Sequence, residues 1–253
     1  MLIKPKVGWY RDYSLLHIWL FLFDKEEFML YQIAIDGCSG TGKTTLAKRL
    51  SKRLSFIYFD TGAMYRTVAL YCIRNNIDIN DEKIVCSNLK KIELETVHID
   101  GEQDIKLNGE LVGDAIRANE ISKAASVVSK YRKVREKLEI LQKEYAKNYS
   151  VIMEGRDIGT VVLPNATLKI FLTASSEVRA DRRYKELLAR GQDVKKDEIE
   201  KELVARDYQD SHREVNPLRQ ADDAILVDSS NLNEQEVEDK IYDLFIEKVG
   251  KVE

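Results

Sequence analysis

The chain has 253 residues, with 40 Lys and Arg against 43 Asp and Glu, a net charge of -3 that excludes the basic excess of a nucleic-acid polymer binder. At 33% charged and 44% hydrophobic residues it is neither disordered nor fibrous, and its length suits one large domain or two small ones. Three cysteines and three histidines, with no Cys-x-x-Cys pair, argue against a disulfide framework or a structural zinc site and for a reducing, cytoplasmic setting.

The apolar run Leu15 to Phe23 is too short to span a bilayer and runs into Asp24-Lys25-Glu26-Glu27 rather than a small-residue cleavage site. Residues 1–28 are therefore read first as an extension ahead of a natural start at Met29. A docked helix and a membrane contact remain as other readings, although no membrane is expected. The functional domain is expected over residues 29–253.

Gln32 to Ile35 is a short apolar run bounded by Asp36 and Gly37, which predicts a buried strand. Gly37-Cys38-Ser39-Gly40-Thr41-Gly42-Lys43-Thr44 then fits the G-x-x-x-x-G-K-[ST] phosphate-binding loop without a mismatch, with Thr45 beside it. Thr44 to Leu54 follows as a helix with Leu46, Leu50 and Leu54 on one face. Backbone N–H groups of such a loop curl around phosphates at the positive end of the helix. Lys43 is placed to reach the β- and γ-phosphates of ATP, and the Thr44 hydroxyl to ligate Mg²⁺. Cys38, at a helix N-terminus, is either a reactive thiol or, preferably, a small side chain that fits the turn.

Phe56 to Asp60 predicts a second strand and Gly62 to Arg74 a helix. From Val97 to Val112 the period changes to two, with Asp100-Gly101 and Asn108-Gly109 as hairpin turns. This predicts a small antiparallel sheet over about residues 92–116, either a subdomain on the acceptor side or a surface meander. Ala115 to about Asn148 reads as helical and highly charged. Strands are expected at Val151 to Met153, Leu168 to Leu172 and Ala224 to Val227, with a last amphipathic helix from Glu234 to Val249. Five apolar strands alternating with helices predict an α/β fold with a five-stranded parallel sheet covered on both faces.

No Asn-Lys-x-Asp guanine-reading segment occurs, and the strand Val151 to Glu154 runs into Gly155-Arg156-Asp157, which suits an anion clamp better than a water activator. Arg179, Arg182 and Arg183 fall at i, i+3 and i+4 of a helix predicted from Ser176 to Arg190 and stopped by Gly191. Three guanidiniums on one face predict a mobile lid, about residues 176–195, closing on ATP phosphates, with a polyanion offsetting their repulsion. A phosphate acceptor is already anionic at neutral pH and needs arginines to align two repelling anions rather than a general base. The Arg-rich, His-poor inventory favours such an acceptor.

Three segments beside the phosphate loop carry a resemblance. Asp60-Thr61-Gly62-Ala63-Met64-Tyr65-Arg66, Glu154-Gly155-Arg156-Asp157-Ile158-Gly159-Thr160-Val161-Val162 and Arg206-Asp207-Tyr208-Gln209-Asp210-Ser211-His212-Arg213 look like those of bacterial cytidylate kinases, P-loop nucleoside monophosphate kinases, and the likeness runs from about Tyr31 to the C-terminus. It implies direct in-line transfer of the ATP γ-phosphoryl group to CMP or dCMP with Mg²⁺, without a covalent intermediate, in a monomeric cytoplasmic enzyme. Lys43, Arg156, Arg179, Arg182 and Arg183 would act on the transferring phosphoryl group. Thr61, Arg66, Arg156 and Arg213 would hold the acceptor phosphate, with Tyr65 lining that site. Ser126, Arg135 and Asp157 would face the cytosine edge, and Arg206 and Asp210 the sugar. Three departures stand out: Cys38 where the family usually has proline, Tyr131-Arg132-Lys133 where an aromatic-Pro-Arg run is common, and residues 1–28, which have no counterpart. Other small-acceptor kinases (for UMP, AMP or shikimate) and a nucleotide-binding regulatory module stay as alternatives.

Overall fold

A computed structural model of the chain describes residues 29–99, 102–189 and 191–250. The expected extension over residues 1–28, the Asp100-Gly101 turn and Arg190, the expected last residue of the lid helix, lie outside the described residues. In chain order the elements are β1 (Gln32–Asp36), α1 (Lys43–Leu54), β2 (Ile57–Asp60), α2 (Thr61–Arg74), α3 (Glu82–Asn88), β3 (Leu94–Ile99), β4 (Glu102–Leu107), β5 (Glu110–Leu111), α4 (Asn119–Val128), α5 (Arg132–Ala146), β6 (Val151–Gly155), β7 (Leu168–Thr173), α6 (Ser176–Ala189), α7 (Lys196–His212), β8 (Ile225–Asp228) and α8 (Glu234–Gly250).

The predicted five strands form one sheet in the order β2-β6-β1-β7-β8, every pair parallel. Alternation along each strand feeds two cores. Ile33 and Ile35 of β1, Tyr58 and Ile152 pack with Leu46 and Leu50 of α1 and with Val237, Ile241 and Phe245 of α8. Ala34, Phe59 and Met153 turn the other way, into the cluster built by α2, α4 and α5. Each such leucine or isoleucine, fully removed from water, contributes about 1.5–3 kcal/mol. The sheet is thus covered on both faces, the condition under which an all-parallel sheet is stable. Among the described residues no helix is long and apolar enough to cross a membrane.

The period-two segment forms the expected separate antiparallel sheet, β3-β4-β5, with Leu94 opposite Leu107 and Ile99 opposite Glu102. Its second turn carries Asn108 at φ 51° and Gly109 at φ 87°, the left-handed pair that a two-residue hairpin requires. The sheet is fastened to β2: Gln103 Oε1 accepts from the Asp60 N–H at 2.5 Å, and His98 Nε2 lies 3.0 Å from the Tyr58 carbonyl.

The stretch expected to be helical from Ala115 to about Asn148 is helical in three pieces. A 3₁₀ turn (Gly113–Arg117), α4 and α5 make it up, and between the last two Tyr131 is extended at φ -77°, ψ 122°. The Tyr131 hydroxyl donates to the Ile79 carbonyl at 2.7 Å, and Arg135 Nη1 reaches back across the break to the Ser129 carbonyl at 3.1 Å. Tertiary anchoring, rather than a glycine or proline, sets the break. Beyond β7, α6 and α7 form a helical hairpin closed by Ala180, Leu187, Ile199 and Leu203.

Candidate active site

The phosphate loop begins where β1 passes closest to β7. Gly37 has φ 149°, and a Cβ there would lie 2.0 Å from the Leu172 carbonyl oxygen, so only glycine fits. Gly40 and Gly42 also take positive φ, at 78° and 93°. Lys43 opens α1 with its ammonium buried against the loop, donating to the Cys38 carbonyl and, at 3.3 Å, to Thr41 Oγ1. Burial and the neighbouring Arg156 push its pKa down to about 7. Cys38 is not the activated thiol a helix N-terminus alone would make. Burial and the Asp207 carboxylate raise its pKa, which disfavours the reactive-thiol reading.

Asp36, Asp60 and Glu154 end three adjacent strands, and their partners tell them apart. Asp36 accepts from the N–H groups of Ile158 at 2.8 Å and Gly159 at 2.7 Å, fixing a single π-helical turn (Ile158–Val162) behind β6. Burial nonetheless lifts its pKa to about 6. Asp60 caps α2 at the Ala63 N–H and pairs with Arg66 at 2.7 Å. Glu154 accepts from the Tyr58 hydroxyl at 2.7 Å and from the Thr44 hydroxyl, while burial and Asp60 raise its pKa. Among the described residues no cluster of three or more His, Cys, Asp or Glu could hold a metal ion. The oxygens of Thr44 and Glu154 beside the loop fit Mg²⁺ all the same, because this ion keeps waters and takes its remaining ligands from substrate phosphates.

The π-helical turn aims Arg156 and Asp157 into the cavity. Arg156 Nε pairs with Asp210 at 2.8 Å, and Thr61 Oγ1 donates to the Glu154 carbonyl at 2.7 Å. Arg206 Nε has no hydrogen-bond partner among the described residues, and burial together with Arg156 pushes its pKa down to about 10. Arg66, Arg156 and Arg206 therefore make a strongly positive corner beside Lys43.

A second cluster lies deeper. Asp157 takes Arg135 Nη2 on one carboxylate oxygen and Arg213 Nη2, at 3.3 Å, on the other. The Arg135 guanidinium stands 5.3 Å from the centre of the Tyr65 ring, whose hydroxyl pKa burial drives far up. Arg213 also lies 3.9 Å from Asp210, the partner of Arg156, so it stands between the two clusters, and Gln209 donates to Ser126.

The three arginines of α6 separate. Arg179 is buried, donating to the Ser39 carbonyl at 3.0 Å and pairing with Asp207. Arg182 donates to the Thr41 and Ser229 carbonyls at 3.2 and 2.7 Å. Arg183 pairs with Glu186 at 2.7 Å. The expected repulsion is thus offset largely inside the protein. Lys43, Arg66, Arg156, Asp157, Arg182 and Arg183 line one cavity of about 1510 Å³, above the roughly 300–1000 Å³ of a single-ligand pocket, while Arg179 is not part of its wall. Sequence reasoning missed Gln103, Gln209, Ser229 and Asn233 on its wall. All four are uncharged; Gln103, Ser229 and Asn233 lie outside the quoted motifs and Gln209 lies inside one without a role of its own, and only the path of the chain assembles them.

A family model described as cytidylate kinase matches residues 33–247. Among relatives, the cytidylate kinase of Caldicellulosiruptor bescii is 49% identical over 217 residues, 86% of this chain and 96% of that protein. The cytidylate kinase of Thermosipho melanesiensis is 50% identical over 217 residues, 86% of this chain and 97% of that protein. Among solved structures, the shikimate kinase of Bacteroides thetaiotaomicron aligns over 85% of this chain and 97% of its own at 14% identity and a TM-score of 0.42.

Proposed function

Because the chain belongs to the cytidylate kinase family and is an ATP-dependent phosphotransferase, we propose that its acceptor is CMP or dCMP and its products are ADP with CDP or dCDP. The observation that carries this reading is the buried Arg135, Asp157 and Arg213 cluster on the wall of the cavity that Lys43 also lines. Cytosine offers an amino donor beside ring-nitrogen and carbonyl acceptors. The Asp157 carboxylate suits the amino group, and Arg135 with Ser126 suits the acceptors.

The roles then follow the charge map. The N–H groups from Gly37 to Thr45 and the Lys43 ammonium hold the ATP phosphates. Thr44, with Glu154 beside it, would hold Mg²⁺, which when bound neutralises charge on the β- and γ-phosphates. Thr61, Arg66 and Arg156 hold the acceptor phosphate, with Arg206 and Asp210 towards the sugar. The acceptor phosphate oxygen attacks the γ-phosphorus as the bond to the β,γ-bridging oxygen breaks, and ADP leaves with that electron pair. No base is needed, since the acceptor is already ionised. The α6–α7 hairpin serves as the lid, with Arg179 and Arg182 bracing the loop and Arg183 facing the cavity to exclude water.

The test is ADP release from MgATP with CMP, dCMP, UMP, AMP, GMP and shikimate in parallel. Strong turnover with CMP and dCMP and little with UMP is expected. Equal rates with all acceptors, or none, would overturn the assignment.

A further inference from the structure

Helix α7 touches α4 through a side chain that none of the roles above uses. Gln209 Nε2 lies 2.9 Å from the Ser126 carbonyl oxygen and 2.6 Å from Ser126 Oγ. A carbonyl oxygen only accepts, so the first contact fixes the amide with its nitrogen towards Ser126. That nitrogen only donates, so Ser126 Oγ accepts from it. The hydroxyl proton therefore cannot point at Gln209. No protein group among the described residues receives it, and Ser126 lines the cavity. One turn back on α4 and two turns back on α7, Lys123 and Glu202 form an ion pair at 2.6 Å, a second tie between the same two elements.

We propose that Gln209 is a positioning residue for base selection, acting through Ser126 to present its hydroxyl as a proton donor to the acceptor base. The inference rests on the reading of this cavity as a cytosine nucleotide site. A base edge with an unprotonated ring nitrogen and a carbonyl, as in cytosine, accepts that proton. An edge carrying N3–H, as in uracil, meets donor with donor and leaves a buried group unpaired.

The test uses the full chain and measures kcat and KM for CMP and UMP at saturating MgATP. Gln209→Met keeps the length and deletes the donor, while Gln209→Glu offers oxygens that draw the Ser126 proton away from the cavity. The CMP-over-UMP ratio of kcat/KM should fall about fivefold to tenfold in Gln209→Met, the worth of one hydrogen bond, through a raised KM for CMP. It should fall further in Gln209→Glu. In a Ser126→Ala background, Gln209→Met should add nothing, because the pathway through the hydroxyl is already gone.

An unchanged ratio in Gln209→Met overturns the proposal, even if Gln209→Glu fails to fold. So does an effect additive with Ser126→Ala, or an equal loss for both acceptors with a lowered Tm, the mark of a purely structural tie. A parent protein with no preference for CMP overturns the cytosine reading itself and this inference with it. A parent that prefers CMP while its variants stay unchanged overturns the inference alone.

Discussion

Replacing Asp157 by asparagine tests the centre of the site with one atom. The Asp157 side chain is 7% exposed, between Arg135 at 2% and Arg213 at 4%, so solvent screens neither pair. The substitution removes the negative charge and turns one accepting oxygen into an NH₂ that faces a guanidinium donor. Glu139 and Asp210 remain nearby, with Asp210 3.9 Å from Arg213, but neither takes the place between the two guanidiniums. Breaking a buried pair from one side costs about 3–5 kcal/mol. At about 2–4 °C per kcal/mol for a domain of this size, Tm should fall by about 6–20 °C. Thermal unfolding followed by circular dichroism reads this directly. In the same variant kcat/KM for CMP should drop by about 10- to 150-fold, one charge-assisted hydrogen bond to the amino group. A Tm within about 2 °C of the parent, together with intact CMP turnover, would refute Asp157 as both frame and reader of the site.

Two other outcomes follow from the phosphate loop. Lys43, pushed from its ordinary 10.5 down to about 7 by burial and Arg156, is largely neutral in the ligand-free protein above pH 7, whereas phosphate oxygens favour its charged form. ATP binding at pH 8 should therefore take up protons, and affinity should fall as pH rises from 7 to 9; calorimetry in buffers of different ionisation enthalpy detects the uptake, and its absence counts against the shift. Because the unfolded chain binds the additional proton between about pH 7 and 10.5, Lys43 adds stability to the ligand-free protein as pH rises through that window. Gly37→Ala places a Cβ 2.0 Å from the Leu172 oxygen at a φ that side chains rarely adopt, so soluble yield and ATP binding should both collapse. A soluble variant that still binds ATP would show that β1 and β7 can part there.

What was legible in the sequence is what is contiguous in it. The loop from Gly37 to Thr44 declares its chemistry because glycines, lysine and hydroxyl must follow one another at fixed spacing, and the five strands declare themselves as short apolar runs, three of which stop at Asp36, Asp60 and Asp228. The break between α4 and α5 was not legible. Ser129-Lys130-Tyr131 contains no helix breaker, and the reason for the break, the Tyr131 hydroxyl on Ile79, lies 52 positions away. Helix α7 went unread for a related reason: it buries only Ile199, Leu203 and Asp210, too few apolar positions for a clear helical period. The association of Arg213 with Asp157 depends on where α7 ends, which no local pattern records.

The arginines of α6 show why a charge count alone misleads. Three guanidiniums at i, i+3 and i+4 read as surplus positive charge awaiting a polyanion. Two of them instead grip the backbone of the phosphate loop, at the Ser39 and Thr41 carbonyls, and Arg179 shares Asp207 with the Ser39 N–H. Asp207 belongs to α7, the helix that also carries Asp210 on Arg156 and Gln209 on Ser126. The phosphate loop, Arg156 and Ser126 are therefore all tied to one helix. A shift of α7 cannot loosen one without straining the others. Under the proposed transfer between two phosphates, that linkage would make the donor and acceptor sites parts of one arrangement rather than two independent pockets.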